Sequence, residues 1–116
     1  MEKTRLERNM NLIARENLLF AMCGHILNLT WDDDENNLKV DGNPLAWHDY
    51  EIIEIDEVPY ENDCIDSVLI FGDGTTEFRL KNSCEAFNFA EFPFEITDKV
   101  IDILHIKVKE KYELKK

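Results

Sequence analysis

Two β-rich runs flank a glycine-rich turn past the middle of the chain. Asp66-Ser67-Val68-Leu69-Ile70-Phe71 leads into Gly72-Asp73-Gly74, and Thr75-Thr76-Glu77-Phe78-Arg79-Leu80-Lys81 leads out. An Asp-Gly pair between such runs is a strong short-range hairpin signal. A two-residue turn at Asp73-Gly74 pairs Phe71 with Thr76, Leu69 with Phe78 and Ser67 with Leu80. Leu69, Phe71, Phe78 and Leu80 then share one face, and Val68, Ile70, Glu77 and Arg79 the other. A slip of one residue sets Leu69 and Phe71 beside Glu77 and Arg79, so the first register is expected. Val68 to Phe71 are apolar on both faces, which predicts a central strand covered above and below.

Before the hairpin the period changes. From Thr4 to Cys23, Leu6, Met10, Ile13 and Phe20 keep helical spacing that Leu27 continues, with Leu12 and Leu19 widening the stripe. Arg5, Arg8, Arg15 and Glu16 fall on the wet side, and Gly24 is the expected left-handed stop. Leu27, Leu29 and Trp31 then alternate with Asn28 and Thr30 as a strand does; the rival reading carries the helix on to Leu29. Asp32 to Asn37 reads as a polar turn, Leu38 to Val40 as a short strand and Asp41-Gly42-Asn43-Pro44 as a second turn. Trp47 to Val58 is a longer strand, centred on Tyr50 to Ile55 and ended by Pro59. Its charges suit a sheet edge.

After the hairpin, Phe87, Phe89, Phe92 and Phe94 are expected to pack in the core or at a sheet edge. Thr97 is the expected N-cap of a last helix, with Asp98 at its positive end. Val100, Ile101, Leu104 and Val108 form its inward stripe. Lys107, Lys109 and Lys111 sit near its negative end, and the last few residues should fray. The expected fold is α+β: an N-terminal helix, a four- to five-stranded antiparallel sheet with its central hairpin at 66–81, and a C-terminal helix.

At 116 residues and 44% hydrophobic, residues 1–116 are expected to form one domain with a usable core. No run approaches the roughly 18 apolar residues of a membrane span. Leu18 to Cys23 resembles a lipoprotein signal core, but Glu2, Glu7 and Glu16 precede it and Met22 stands where a small residue is needed. Three cysteines without close pairing suggest free thiols and a cytoplasmic location.

Charge changes the picture most. The net charge is −12, and residues 32–66 account for all of it, with thirteen acidic side chains against Lys39 alone. Such a field repels nucleic acid and acidic membranes and draws basic partners inward. Acidity for solubility is the bland explanation. It does not account for near-neutral flanks on both sides.

The motifs for chemistry are weak. Asp32, Asp34 and Asn36 alternate as calcium ligands do, yet the sixth and twelfth loop positions hold Asn37 and Asn43 instead of glycine and glutamate. Cys23, Cys64, Cys84, His25, His48 and His105 lack the paired spacing of a zinc site, so buried cysteines and half-exposed histidines are expected. Asp66, Glu77 and Arg79 imitate a carboxylate–lysine nuclease but lack its lysine and a basic groove. With acids this dense, carboxylate pairs arise from composition alone, and no phosphate loop or nucleophile elbow accompanies them.

The expected function is that of a small non-enzymatic protein that docks on a basic surface of a protein partner and occludes it. A nucleic-acid enzyme is the expected partner, as for a nuclease inhibitor of the phage or mobile-element kind or a toxin-immunity protein. The contact residues would be Asp32, Asp33, Asp34, Glu35, Asp49, Glu51, Glu54, Asp56, Glu57, Glu61 and Asp63. Trp47, Tyr50 and Tyr60 would serve as anchors, although core packing is the first expectation for Trp47. No metal, cofactor, direct nucleic-acid contact or membrane is expected. The alternative is a small enzyme that uses the acidic cluster with a divalent metal.

Overall fold

The structure, a computed structural model, describes residues 5–113. The expected helix start at Thr4, the side chains of Arg5, Leu6, Arg8 and Met10, and the fraying of the last residues lie outside the description. Helix α1 (Arg5–Leu27) leads into strands β1 (Leu29–Asp32), β2 (Asn37–Val40) and β3 (Asn43–Pro44). Strands β4 (Tyr50–Tyr60), β5 (Asp63–Phe71), β6 (Thr76–Leu80) and β7 (Ala86–Asn88) follow. A 3-10 turn (Phe89–Glu91) precedes helix α2 (Phe94–Val108), which runs on as a π-helical turn (Lys109–Glu113). The fold is α+β, with its strands divided between two antiparallel sheets in the orders β1-β2-β3 and β4-β5-β6-β7.

Helix α1 does not stop at Gly24. It runs to Leu27, and Asn28 takes the left-handed conformation at φ +53°. Asparagine tolerates that region better than most residues, and here its side chain also donates to Asp41 Oδ1 at 3.1 Å. Leu27 therefore closes the helix, and the strand begins at Leu29, opposite Val40. The helix faces also differ from expectation. Ile13 is exposed, while Arg15 turns inward to ion-pair with Asp98 at 2.6 Å and to lie 3.9 Å above the Phe94 ring. Arg15 thus bridges the two helices.

The central hairpin adopts the other register. Its loop has three residues, Gly72, Asp73 and Gly74, with Gly74 at φ +92°. The Gly74 amide donates to the Phe71 carbonyl at 2.9 Å, and the Phe71 amide to the Thr75 carbonyl at 2.9 Å. That pattern is the tight turn with a left-handed closing glycine that three-residue hairpin loops favour. Val68 then faces Phe78, Ile70 faces Thr76 and Leu69 faces Glu77. A bulge at Asp66 brings Ile65 opposite Leu80.

The core face of the larger sheet consequently carries Ile53, Ile55, Val58, Ile65, Val68, Ile70, Phe78 and Leu80. They pack in one cluster with Leu19, Met22 and Cys23 of α1 and Val100, Ile101 and Leu104 of α2. Leu69 is buried but lies on the opposite face, and Phe71 is half-buried there, 5.2 Å from the Tyr50 ring. Neither joins Phe78 and Leu80, contrary to the sequence expectation. The extra loop residue is held from outside the hairpin. The Gly72 amide donates to the Asp49 carbonyl at 3.0 Å, and its carbonyl accepts from the Leu38 amide at 2.9 Å. This junction joins the smaller sheet to the larger one.

Pro59 does not end β4; it pairs with Cys64 inside the strand. Because β4 is the sheet's outer strand, the missing amide hydrogen need not cost a ladder bond. Helix α2 starts earlier than Thr97, after Pro93, whose carbonyl takes the amides of Ile96 and Thr97. Thr97 is buried in the first turn, and its hydroxyl donates to the Phe94 carbonyl at 2.9 Å. Phe89 and Phe92 are core residues, 5.5 and 5.3 Å from the Phe78 ring.

Candidate functional site

Nine of the thirteen acidic residues in 32–66 are exposed, so the charge found in the sequence is a surface charge. The β1–β2 turn shows how. Asp32 Oδ1 accepts the amides of Asp34 at 3.0 Å and Glu35 at 3.3 Å, and Asn36 closes the turn at φ +57°. The Glu35 amide, and after it the Lys39 ammonium 3.3 Å away, hold the Asp32 carboxyl below the usual carboxylate range. Asp32 thereby serves the turn. Asp33, Asp34 and Glu35 are left in solvent.

A groove of about 790 Å³ lies beside that turn, lined by Asp32, Glu35, Asn37, Lys39, Trp47 and Asp73 among others. Trp47 is 67% exposed and meets His48 edge-on at 5.6 Å, so the expected core packing does not occur. The short turn closed by the Asp49 amide on the Ala46 carbonyl, at 2.9 Å, presses Leu45 and Ala46 toward Gly72 and leaves Trp47 outside. Asn37 donates to the Leu45 carbonyl at 2.9 Å, while its own buried Oδ1 has no hydrogen-bond partner among the described residues. Asp73 was not among the expected contact residues. Its sequence signal was only that of a turn residue, and the Leu38–Gly72 hydrogen bond is what brings it to the groove.

The remaining candidates spread along β4, which at eleven residues spans roughly 30 Å. Asp49 and the exposed Tyr50 stand at the groove end, Glu51 is half-buried, and Glu54 and Asp56 are exposed in mid-strand. Glu57 ion-pairs with Lys81, which lowers the Glu57 pKa and raises that of Lys81. Glu61 sits exposed in the β4–β5 turn at φ +54°.

Asp63, also at that far end, is structural in its bonding. Its carboxylate accepts the amides of Asn82 at 2.9 Å, Cys64 at 2.8 Å and Ser83 at 3.0 Å, and the Asn82 side chain at 3.0 Å. Those donors, the Asn82 amide first, bring its pKa down to about 2. Tyr60 is half-buried against Phe92 at 4.7 Å. The structure therefore gathers Asp32, Glu35 and Trp47 with Asp73 at one end, and sets Glu57, Tyr60, Glu61 and Asp63 at the other.

Among the described residues, no group of three His, Cys, Asp or Glu side chains is placed to hold a metal ion. The three thiols are free. Cys23 is buried, and burial pushes its pKa up to about 12. Cys64 is half-buried and also raised, by desolvation first and the Glu57 charge second. Cys84 is exposed, unlike the buried cysteine expected. No helix among the described residues is long and apolar enough to cross a membrane. No family model matches this chain, and no curated protein or solved structure is detectably similar to it.

Proposed function

We propose that this protein binds a basic surface of a protein partner and occludes it without catalysis. The observation that carries the reading is the placement of the charge: nine exposed carboxylates from one third of the chain, with Trp47 67% exposed among them. Carboxylates at this density repel one another, and a basic partner relieves that repulsion. Enzymes that act on nucleic acid present such basic surfaces, so carboxylates here would stand where phosphates bind. An inhibitor carried by a phage or mobile element and an immunity protein against a nuclease toxin both work this way.

The contact would centre on Asp33, Asp34, Glu35, Asp49 and Trp47, joined by Asp73. Exposed carboxylates speed encounter, and a buried aromatic anchor slows release. Asp63 and Tyr60 are occupied within the fold and would contribute little.

The test is capture from a host lysate, identification of the bound protein by mass spectrometry, and binding kinetics between 50 and 500 mM salt, where Debye screening falls from about 14 to about 4 Å. Reversal of Asp34, Glu35 and Asp49 to lysine should slow association about tenfold at low salt. Reversal of Glu85, Glu95 and Asp102 should do much less. Equal effects of the two triple variants, or a partner without a basic surface, would defeat the reading.

A further inference from the structure

Three turns join Asp or Asn to a following residue small enough for its backbone nitrogen to attack the side chain: Asp41-Gly42, Asp73-Gly74 and Asn82-Ser83. A fourth such pair, Asp66-Ser67, lies inside strand β5. In sequence the two Asp-Gly pairs are equivalent. The reaction needs a side-chain carbonyl carbon free to swing and an amide nitrogen not already engaged as a donor. Hydrogen bonding sets both conditions.

Two of the turns fail both. Asp73 Oδ1 accepts the Thr75 amide at 2.9 Å and the Thr75 hydroxyl at 2.7 Å, and the Gly74 amide donates to the Phe71 carbonyl at 2.9 Å. The Asn82 side chain donates to Asp63 Oδ1 at 3.0 Å, and the Ser83 amide to Asp63 Oδ2 at 3.0 Å. Asp41 and Gly42 differ. Among the described residues the Gly42 amide makes no hydrogen bond, and a Cβ built on Gly42 would meet nothing within 4 Å. The exposed Asp41 carboxylate is held by one bond, from the Asn28 side chain at 3.1 Å. Asp41 and Gly42 are left-handed, at φ +52° and +83°, so the turn must open before nitrogen reaches carbon. Little resists that opening, because β3 is two residues long and both are exposed.

We infer that Asp41-Gly42 is a site of self-modification, at which the backbone rearranges through a cyclic imide to isoaspartate. The Gly42 nitrogen gives up its proton and bonds to the Asp41 side-chain carboxyl carbon, whose hydroxyl leaves as water. Water then opens the ring. Opening at the side-chain carbonyl restores aspartate. Opening at the main-chain carbonyl leaves Gly42 joined through the side chain, with the α-carboxylate free. Water is the only co-reactant, and isoaspartate keeps the negative charge. The product adds one carbon to the main chain beside the Asn28–Asp41 bond where α1 stops, in the turn that leads to Pro44 and the groove.

The whole protein, aged for several weeks at 37 °C and pH 6, tests this. One sample is native and the other is unfolded in 6 M guanidinium chloride. Timed aliquots are digested and mapped by mass spectrometry with electron-transfer fragmentation, which tells isoaspartate from aspartate. In denaturant the two Asp-Gly pairs should rearrange at similar rates. In the native protein residue 41 should rearrange about tenfold faster than residue 73, which must first break its hydrogen bonds. Equal native rates at the two pairs would mean that both react only through global unfolding, and would overturn the inference. So would a faster native reaction at residue 73, or no native reaction at residue 41.

Discussion

Gly72 passes so close to Ala46 that no side chain fits between them. A Cβ built on Gly72 would lie 2.6 Å from the Ala46 carbonyl carbon and equally close to the Leu45 carbonyl oxygen. Real Cβ atoms do not approach backbone so closely, and backbone cannot rotate away as a side-chain tip can. Gly72→Ala should therefore cost about 3 kcal/mol, the upper end of the usual overpacking range, because it pries the two sheets apart. Gly42 offers the contrast. Its surroundings are open but its φ is +83°, so Gly42→Ala should cost only about 1 kcal/mol of left-handed strain. Urea unfolding of both variants checks the order.

The hairpin register makes a second prediction. Phe78 is fully buried between Phe89 and Phe92, whereas Phe71 is half-buried on the far face against Tyr50. Phe78→Ala should cost about 3–5 kcal/mol. Phe71→Ala should cost less than about 2 kcal/mol, since much of its surface is already wet. Equal losses in chemical denaturation would contradict the observed faces.

Asp63 should be visible in the acid limb of stability. Its carboxyl is lowered from 3.8 to about 2, so the stability it contributes is fully present above pH 4 and disappears as pH falls toward 2. Asp63→Asn must turn an amide NH₂ toward at least one backbone N–H, and should lower the melting temperature at pH 7. The gap from the parent protein should close between about pH 4 and pH 2. A carboxyl ¹³C titration of Asp63 with a midpoint near 4 would refute the assignment.

The three cysteines should react at separate rates. Cys84 is exposed and should label first with a thiol reagent at pH 8, while Cys64, half-buried and with a raised pKa, should follow more slowly. Cys23, buried and pushed up to about 12, should label only on unfolding. Mass spectrometry of timed aliquots with and without denaturant gives the order.

Much of the architecture was legible because periodicity reports local geometry. The helix at each end, the turn between Asp32 and Asn37 and the edge position of β4 follow from spacing and charge, whereas Asn43 and Pro44, expected in a turn, pair with Val40 and Lys39 as strand β3. The errors occurred where two local readings had similar energies. Gly24 was a plausible helix stop, but Asn28 could stop the helix too, and its bond to Asp41 across the sheet decided between them. At Val68 to Phe71 both faces are apolar, so burial alone did not choose between registers one residue apart. Arg15 looked like a wet-side residue because its ring partner Phe94 and its carboxylate partner Asp98 lie some eighty positions away.

For the candidate site, the sequence by itself determined the charge: thirteen acids and one lysine in residues 32–66, whatever the fold. It also determined that β4 would be a charged edge. Only the tertiary structure decided which acids are available. Asp32, Glu57 and Asp63 are engaged by Lys39, Lys81 and the Asn82–Ser83 backbone, while Asp73, from outside the acidic third, joins Glu35 and Trp47 at the groove. The exposure of Trp47 was likewise a tertiary outcome. An indole is buried or exposed according to which neighbour takes the space inside, and here Leu45 packs against the core while the Leu45–Ala46 backbone lies against Gly72. Composition counts charges and rings, but a hydrogen bond between residues thirty-four positions apart, Leu38 and Gly72, sets where they point.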